Sequence, residues 1–155
     1  MCSMNKRGGF WRGFGYALRG VWLCLKTERN FRFHVAVTAY VLAFAPHFSL
    51  SRAEWAVLCL TFGAVLCAEL FNSALERAVD RISPEQHPLS GAAKDLAAAA
   101  VLVLSVAAFA VGLLLFLRPQ VWLAIFAHWQ TAWWQPCVLL LSFIPAWLFV
   151  FGRRK

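Results

Sequence analysis

The chain has 155 residues, of which 61% are hydrophobic and only 14% are charged. A soluble domain of this size needs a polar surface that this composition does not supply, and the apolar residues stand in long blocks. The composition therefore excludes an ordinary soluble protein and predicts one integral membrane domain. The net charge of +8 does not indicate a nucleic-acid partner, because no basic segment is interleaved with exposed polar sequence. We attribute the positive charge to cytoplasmic segments that face anionic membrane lipids.

Residues 10–26 form the first predicted element, an amphipathic helix. Apolar residues recur there at three- and four-residue steps, while Arg12, Arg19 and Lys26 repeat every seven residues on another face. This pattern predicts a helix that lies in the membrane surface, with its aromatic side toward the lipid and its basic side at the headgroups.

Four membrane spans are predicted after this helix, at about residues 33–50, 55–75, 96–117 and 132–151. The second and third reach the ~20 residues that a bilayer requires. The first is the weakest, because its clean apolar run is short and is followed by Pro46. The fourth contains Pro136 and Pro145 and should be bent near its start. The fold class is therefore all-α integral membrane, with an N-terminal surface helix, three core spans and an extra C-terminal span.

Lysine and arginine are distributed asymmetrically between the segments that join these spans. With four spans in place, thirteen of the fifteen cations fall on one side of the membrane and two on the other. Because positive residues are retained on the inner side, we expect the N-terminus, the 77–95 connection and the C-terminus to be cytoplasmic. Residues 118–131 are then an outer loop, whose tryptophans anchor the outer interface.

Acidic and amide residues interrupt the second span. A charged residue in a span costs roughly 2.5–3.5 kcal/mol at the bilayer centre, so its presence requires a reason. Spacings of i, i+3, i+4, i+7 and i+11 place five polar residues on one helical face, descending toward the cytoplasmic surface: Glu69, Asn72, Ser73, Glu76 and Asp80. We call this set the polar ladder.

Lys94 and Asp95 begin the third span, and the short 81–90 connection brings them close to the polar ladder. Carboxylates can hold Mg²⁺, and a lysine can hold phosphate oxygens. Glu69, the deepest acid, could remove a proton from a hydroxyl that arrives from the lipid. These are the parts that phosphoryl transfer requires, although the sequence has no GxxxxGK[ST] loop and no protein-kinase motif.

Two other functions are compatible with the polar ladder. The ladder could be a hydrogen-bonded seam between packed helices, in which case the chain would be a non-enzymatic membrane adaptor. Intramembrane acids also build ion- or proton-coupled transporters. Against a transporter, the acids cluster at one membrane edge, no inverted repeat is visible, and Lys94 supplies a phosphate-type partner.

Two sequence segments resemble the signature of the bacterial integral-membrane diacylglycerol kinase and undecaprenol kinase family. Residues 68–80, AELFNSALERAVD, resemble E-x-x-N-[ST]-A-[IL]-E-x-x-V-D, and residues 87–98, HPLSGAAKDLAA, resemble the following block, H-x-L-x-x-x-A-K-D. The stretches 15–16 and 27–34 extend the resemblance, which covers roughly residues 10–117. Two long motifs in the right order and at the right spacing make the resemblance specific.

The resemblance implies an ATP- and Mg²⁺-dependent lipid kinase of the bacterial plasma membrane, assembled as a homotrimer of three-span subunits. Residues 1–131 would be the lipid kinase domain. Residues 132–155 would be an additional span and basic tail, which the minimal family fold lacks. The lipid is undecaprenol or diacylglycerol, and the TERNFRFH stretch at residues 27–34 slightly favours undecaprenol.

The resemblance also implies roles for individual residues. Glu69 would be the general base on the lipid hydroxyl, and Asn72 would orient Glu69 or the phosphoryl group. Glu28 and Glu76 would hold Mg²⁺. The remaining residues would bind the nucleotide: Tyr16, Glu85, Gln86, His87, Lys94 and Asp95. Gly9 stands where some diacylglycerol kinases have an arginine beside the phosphates, so Arg7 or Arg12 substitutes for it or neither does.

The charge asymmetry predicts that both termini are cytoplasmic. A reporter protein that is active only in the cytoplasm should therefore be active when it is fused after Lys155. A reporter that is active only outside the cytoplasm should be silent at the same position, and its activity there would contradict the four-span topology.

Overall fold

The computed structural model describes residues 9–83 and 87–152, which form an all-helical membrane fold and confirm the predicted fold class. The helices in chain order are α1 (Gly9–Thr27), α2 (Arg29–Phe44), a short 3-10 helix (Ala45–Phe48), α3 (Arg52–Ile82), α4 (Pro88–Phe116), α5 (Pro119–Thr131) and α6 (Trp134–Phe151). Within the described ranges, α3, α4 and α6 are long and apolar enough to cross a membrane. Large apolar side chains on α3 and α4 face outward, with Leu60 exposed by 74% and Leu114 by 81%. Such surface is suited to lipid rather than water.

α2 is shorter than the predicted first span. Its α-helical part has 16 residues and gives way to the 3-10 helix at Pro46, which has no N–H to donate to the preceding turn. Ser49 then takes a left-handed conformation with φ of 48° and ends the helical segment. The first span therefore rests on the charge balance and stays a prediction.

α3 and α4 are the longest helices and pack against each other. α3 begins at a capping box, in which Ser51 Oγ accepts a hydrogen bond from Glu54 N at 3.2 Å and Glu54 Oε2 accepts one from Ser51 N at 2.7 Å. α4 begins with Pro88 at its first turn. At about 1.5 Å per residue each helix is roughly 45 Å long, whereas the hydrocarbon core is only ~30 Å thick. Their polar ends, residues 76–82 and 88–95, therefore extend beyond the hydrocarbon.

The buried core lies toward the opposite end of the bundle. Ala45, Leu58 and Leu115 are buried against one another from the 3-10 helix, α3 and α4. Arg118 closes this end, since its guanidinium donates to Phe48 O at 3.0 Å and forms an ion pair with Glu54.

The prediction that residues 118–131 form a loop is wrong, because this segment folds as the helix α5, while its position on the outer side of the membrane stays a prediction. Pro119 sets the helical φ at its first turn. Trp122 is also more than an interface anchor. Its Nε1–H donates to Phe116 O at 2.9 Å, and its ring packs edge-on against Phe48 at 5.4 Å.

α1 and α6 agree with the predicted surface helix and fourth helix to within two residues. α6 packs along α2, where the hydroxyls of Tyr40 and Ser142 are 2.9 Å apart and the Tyr40 ring stacks on Phe143 at 5.2 Å. The division of the chain at residue 131 stays a prediction.

Candidate active site

The buried part of the polar ladder lies on the side of α3 that faces α2 and the α1–α2 turn. Glu69 and Ser73 are each only 3% exposed. Their face is marked by two contacts across helices, from Glu69 to His34 of α2 and from Arg77 to Glu28 of the α1–α2 turn. The i, i+4, i+8 spacing of Glu69, Ser73 and Arg77 explains why one face makes both contacts.

Glu69 is a buried carboxylate that pairs with no lysine or arginine of the described segments. Its Oε1 lies 3.4 Å from His34 Nε2. A packing role would be served better by a neutral side chain, because an ionised carboxylate is costly to bury without a lysine or arginine beside it. Buried acids of this kind are typical of functional sites.

Within the polar ladder, the side chain of Asn72 binds Glu76 through its nitrogen and leaves its oxygen without a partner among the described residues. Its Nδ2 donates to Glu76 Oε1 at 2.9 Å. Its Oδ1 is buried and has no hydrogen-bond partner among the described residues. Because buried polar atoms are nearly always satisfied, this oxygen is suited to a ligand, a water or a metal ion.

Glu28 sits in the turn between α1 and α2, in the extended conformation that precedes a helix. Its Oε1 accepts from Arg77 Nη2 and from Thr27 Oγ1, both at 2.9 Å. Arg77 Nη2 also donates to Thr27 Oγ1 at 2.6 Å. Arg77 therefore ties the α1–α2 turn to α3 beside Glu76.

Lys94 and Asp80 join the polar ends of α4 and α3 in an ion pair. The sequence prediction that Lys94 faces the ladder is consistent with this contact, which reaches the ladder at its outermost member. Asp95 is exposed on the same turn of α4.

Three other predicted nucleotide residues lie in the described segments, namely Tyr16, His87 and Asp95. Tyr16 is 66% exposed on α1, with the Arg19 guanidinium 5.8 Å from its ring centre. His87 caps α4 through Nδ1, which accepts from Leu89 N at 3.3 Å. Between described residues, no hydrogen bond or ion pair joins Tyr16, His87 or Asp95 to the buried part of the ladder. Arg7, Glu85 and Gln86 lie outside the described residues.

An apolar pocket of about 410 Å³ opens between α2, α3 and α4. His34 is part of its wall, so the pocket reaches the residue that contacts Glu69. Its other walls are almost entirely apolar and include Phe33, Val37, Leu58, Val65, Phe109 and Leu113. A hydrocarbon chain fits such a lining, and His34 connects the pocket to the carboxylate of Glu69.

The family model described as prokaryotic diacylglycerol kinase matches residues 15–116, which is more than half of the chain. The chain belongs to the prokaryotic diacylglycerol kinase family. It is 43% identical over 113 residues to an undecaprenol kinase of Bacillus subtilis, covering 73% of this chain and 92% of the relative. It is 42% identical over 107 residues to a diacylglycerol kinase of a Synechocystis species, and this match covers 68% of the present chain and 61% of the relative. It is 33% identical over 102 residues to the diacylglycerol kinase of Escherichia coli, and this match covers 64% of the present chain and 84% of the relative.

Family membership makes this protein a lipid kinase of the multi-pass membrane type and confirms the resemblance found in the sequence. The transporter and adaptor alternatives are thereby set aside. α5 and α6 lie beyond the residues that the family model matches.

Sequence reasoning assigned no role to His34 or Arg77. Arg77 could have been found, because it continues the i, i+4 spacing of Glu69 and Ser73. His34 carried no comparable signal, since its contact with Glu69 depends on how α2 packs against α3.

Proposed function

We propose that this kinase transfers the γ-phosphate of ATP to the hydroxyl of a membrane lipid alcohol, undecaprenol in preference to diacylglycerol, at the cytoplasmic face of the membrane. The observation that carries the proposal is Glu69, a buried carboxylate that contacts His34 in the wall of an apolar pocket and has no lysine or arginine paired to it among the described residues.

Glu69 is the general base in this proposal. It accepts the proton of the lipid hydroxyl while the hydroxyl oxygen bonds to the γ-phosphorus, and the bond to the bridging oxygen breaks to release ADP. Because Glu69 is 3% exposed, water is kept from the position of the attacking hydroxyl. This favours phosphorylation of the lipid over hydrolysis of ATP.

The residues around Glu69 are suited to Mg²⁺. No group of three or more His, Cys, Asp or Glu side chains forms a metal cage among the described residues. Mg²⁺ does not require one, because it keeps several waters and takes one or two carboxylates together with phosphate oxygens. Glu28 and Glu76 would supply the carboxylates, and the buried Oδ1 of Asn72, whose Nδ2 donates to Glu76, would be a further oxygen. Bound there, Mg²⁺ would neutralise charge on the ATP phosphates.

The nucleotide would be held by residues at the polar ends of the helices. Lys94 can contact a phosphate, with Asp80 as its present partner. The remaining residues carried over by resemblance are Tyr16, Glu85, Gln86, His87 and Asp95. As the family resemblance implies, the assembly would be a homotrimer, in which a neighbouring subunit could bring Tyr16 to the site.

Replacing Glu69 by Gln separates catalysis from packing. Gln keeps the shape and the hydrogen bonds, and interhelical hydrogen bonds average only ~0.6 kcal/mol, so a packing residue would tolerate the change. A general base would not, and we expect the rate of lipid phosphorylation to fall by ~10²–10⁴ with ATP binding and the thermal midpoint little changed.

Glu54→Gln is the matched control, because it is the same substitution at the opposite end of α3. It keeps the capping box, which a glutamine can also complete, and removes the charge of the ion pair with Arg118, so it should lower stability slightly and leave the rate per folded enzyme unchanged. Full activity of Glu69→Gln would remove Glu69 from the mechanism.

The metal assignment predicts altered Mg²⁺ dependence in Glu28→Gln and Glu76→Gln. Each change removes one carboxylate, and the Mg²⁺ concentration for half-maximal rate should rise by about tenfold or more. Titrating Mg²⁺ at saturating ATP checks this, again with Glu54→Gln as control. Wild-type Mg²⁺ dependence in both variants would contradict a shared metal.

The lipid preference predicts a higher kcat/KM for undecaprenol than for diacylglycerol. Support comes from the TERNFRFH stretch and from the undecaprenol kinase relative, of which this chain covers 92%. Both lipids should be measured in the same detergent, at the same mole fraction, with saturating Mg²⁺ and ATP. A clear reversal of the two values would overturn the preference while leaving the reaction type standing.

A further inference from the structure

Arg32 of α2 is a buried cation with no acidic partner among the described residues. Its side chain is 6% exposed, and its three nitrogens donate four hydrogen bonds, all to backbone carbonyls. Nε and Nη2 donate to Val150 O at 3.1 and 3.0 Å. Nη1 donates to Leu25 O at 3.3 Å and to Lys26 O at 3.1 Å.

These carbonyls belong to the last turns of two different helices, α1 and α6. The last carbonyls of a helix lack partners within it and carry partial negative charge. A buried guanidinium is costly unless its donors are satisfied. Arg32 and the two helix ends therefore compensate one another, and we call this arrangement the carbonyl clamp.

A second contact holds the end of α6 in the same place. The guanidinium of Arg29, at the start of α2, lies 5.8 Å from the ring centre of Phe151, the last residue of α6. The contact between Tyr40 and Ser142 lies further along the same pair of helices and does not involve the clamp.

The carbonyl clamp adjoins the turn that carries Glu28. Leu25 and Lys26 directly precede Thr27 and Glu28, which are bound from the other side by Arg77 of α3. The α1–α2 turn is thus held between α3 and the end of α6. A rigid turn keeps the Glu28 carboxylate in one position before ligand arrives.

We propose that Arg32 and the C-terminal end of α6 position Glu28 for Mg·ATP, so that the helix beyond the family-matched residues is a working part of the nucleotide site. The proposal rests on the proposed function of Glu28 as a Mg²⁺ ligand. Arg32 is a positioning residue: it acts through the turn and contacts neither the lipid nor Glu69.

A positioning role for Arg32 predicts a change in KM for Mg·ATP rather than in kcat. Glu69 is on α3 and does not depend on the clamp, so the chemical step at saturating Mg·ATP should change little. Loss of the clamp should instead raise KM for Mg·ATP, because the binding energy of the ligand must then order the turn. A general folding defect would lower the amount of active enzyme, and hence the apparent kcat, without this selective rise in KM.

The test uses full-length variants of the complete chain. Arg32→Met keeps the length of the stem and removes all donors, and we expect KM for Mg·ATP to rise about tenfold with kcat within about threefold of wild type. Arg32→Lys restores the charge and part of the bonding, so its KM should be intermediate. Ser142→Ala is the control on α6 and should leave KM unchanged.

Two further variants assign the effect to α6 and to Glu28. Phe151→Ala loosens the end of α6 and should raise KM by less than Arg32→Met, with no added effect when the two are combined. Arg32→Met should also add nothing to the Mg²⁺ dependence of Glu28→Gln.

An unchanged KM for Mg·ATP in Arg32→Met would overturn the proposal. So would a double variant of Arg32→Met and Phe151→Ala whose rise in KM is the product of the two single rises. If Arg32→Met does not assemble, Arg32→Lys and Phe151→Ala decide the same question by their KM values. A failure of the Mg²⁺ assignment is distinguishable, because Glu28→Gln alone would then show wild-type Mg²⁺ dependence.

Discussion

A polar group that is buried in an apolar bundle must find a partner, since neither lipid nor a distant aqueous phase can supply one. This protein meets the constraint in two ways. Glu69, buried on one face of α3, contacts His34 of α2, and the buried cation Arg32 is satisfied by helix-end carbonyls. The first arrangement creates a dry carboxylate, and the second fixes the α1–α2 turn that carries Glu28. The active site and the packing of the helices therefore both depend on how buried polar groups are satisfied.

Arginines at the two ends of the bundle have related structural tasks. Arg118 closes one end by binding a backbone carbonyl of the 3-10 helix together with Glu54. Arg32 closes the other by binding the ends of α1 and α6, and Arg77 ties the adjoining turn to α3. Between these ends, apolar helices facing lipid gain little from the hydrophobic effect, so packing and such polar contacts determine how they associate.

Much of the fold follows from sequence periodicity, because the surface helix, the membrane spans and the polar ladder of α3 are each patterns within one stretch of sequence. The loop assignment of residues 118–131 failed because charge counting divides a chain into spans and connections, and it does not distinguish a loop from a helix such as α5. Arg32 was counted only as a cytoplasmic cation. Its partners are backbone carbonyls distant in sequence, so no side-chain pattern could indicate them.

The central claim is that the buried carboxylate of α3 serves transfer of phosphate to lipid. The most direct measurement follows the label of γ-³²P-ATP with detergent-purified wild-type protein, Mg²⁺ and a polyprenol in mixed micelles. If Glu69 serves this transfer, the label should appear in a solvent-extractable lipid monophosphate, in a one-to-one ratio with the ADP formed, and little label should appear as inorganic phosphate. ATP consumption that yields inorganic phosphate and no labelled lipid, with either a polyprenol or a diacylglycerol present, would contradict it.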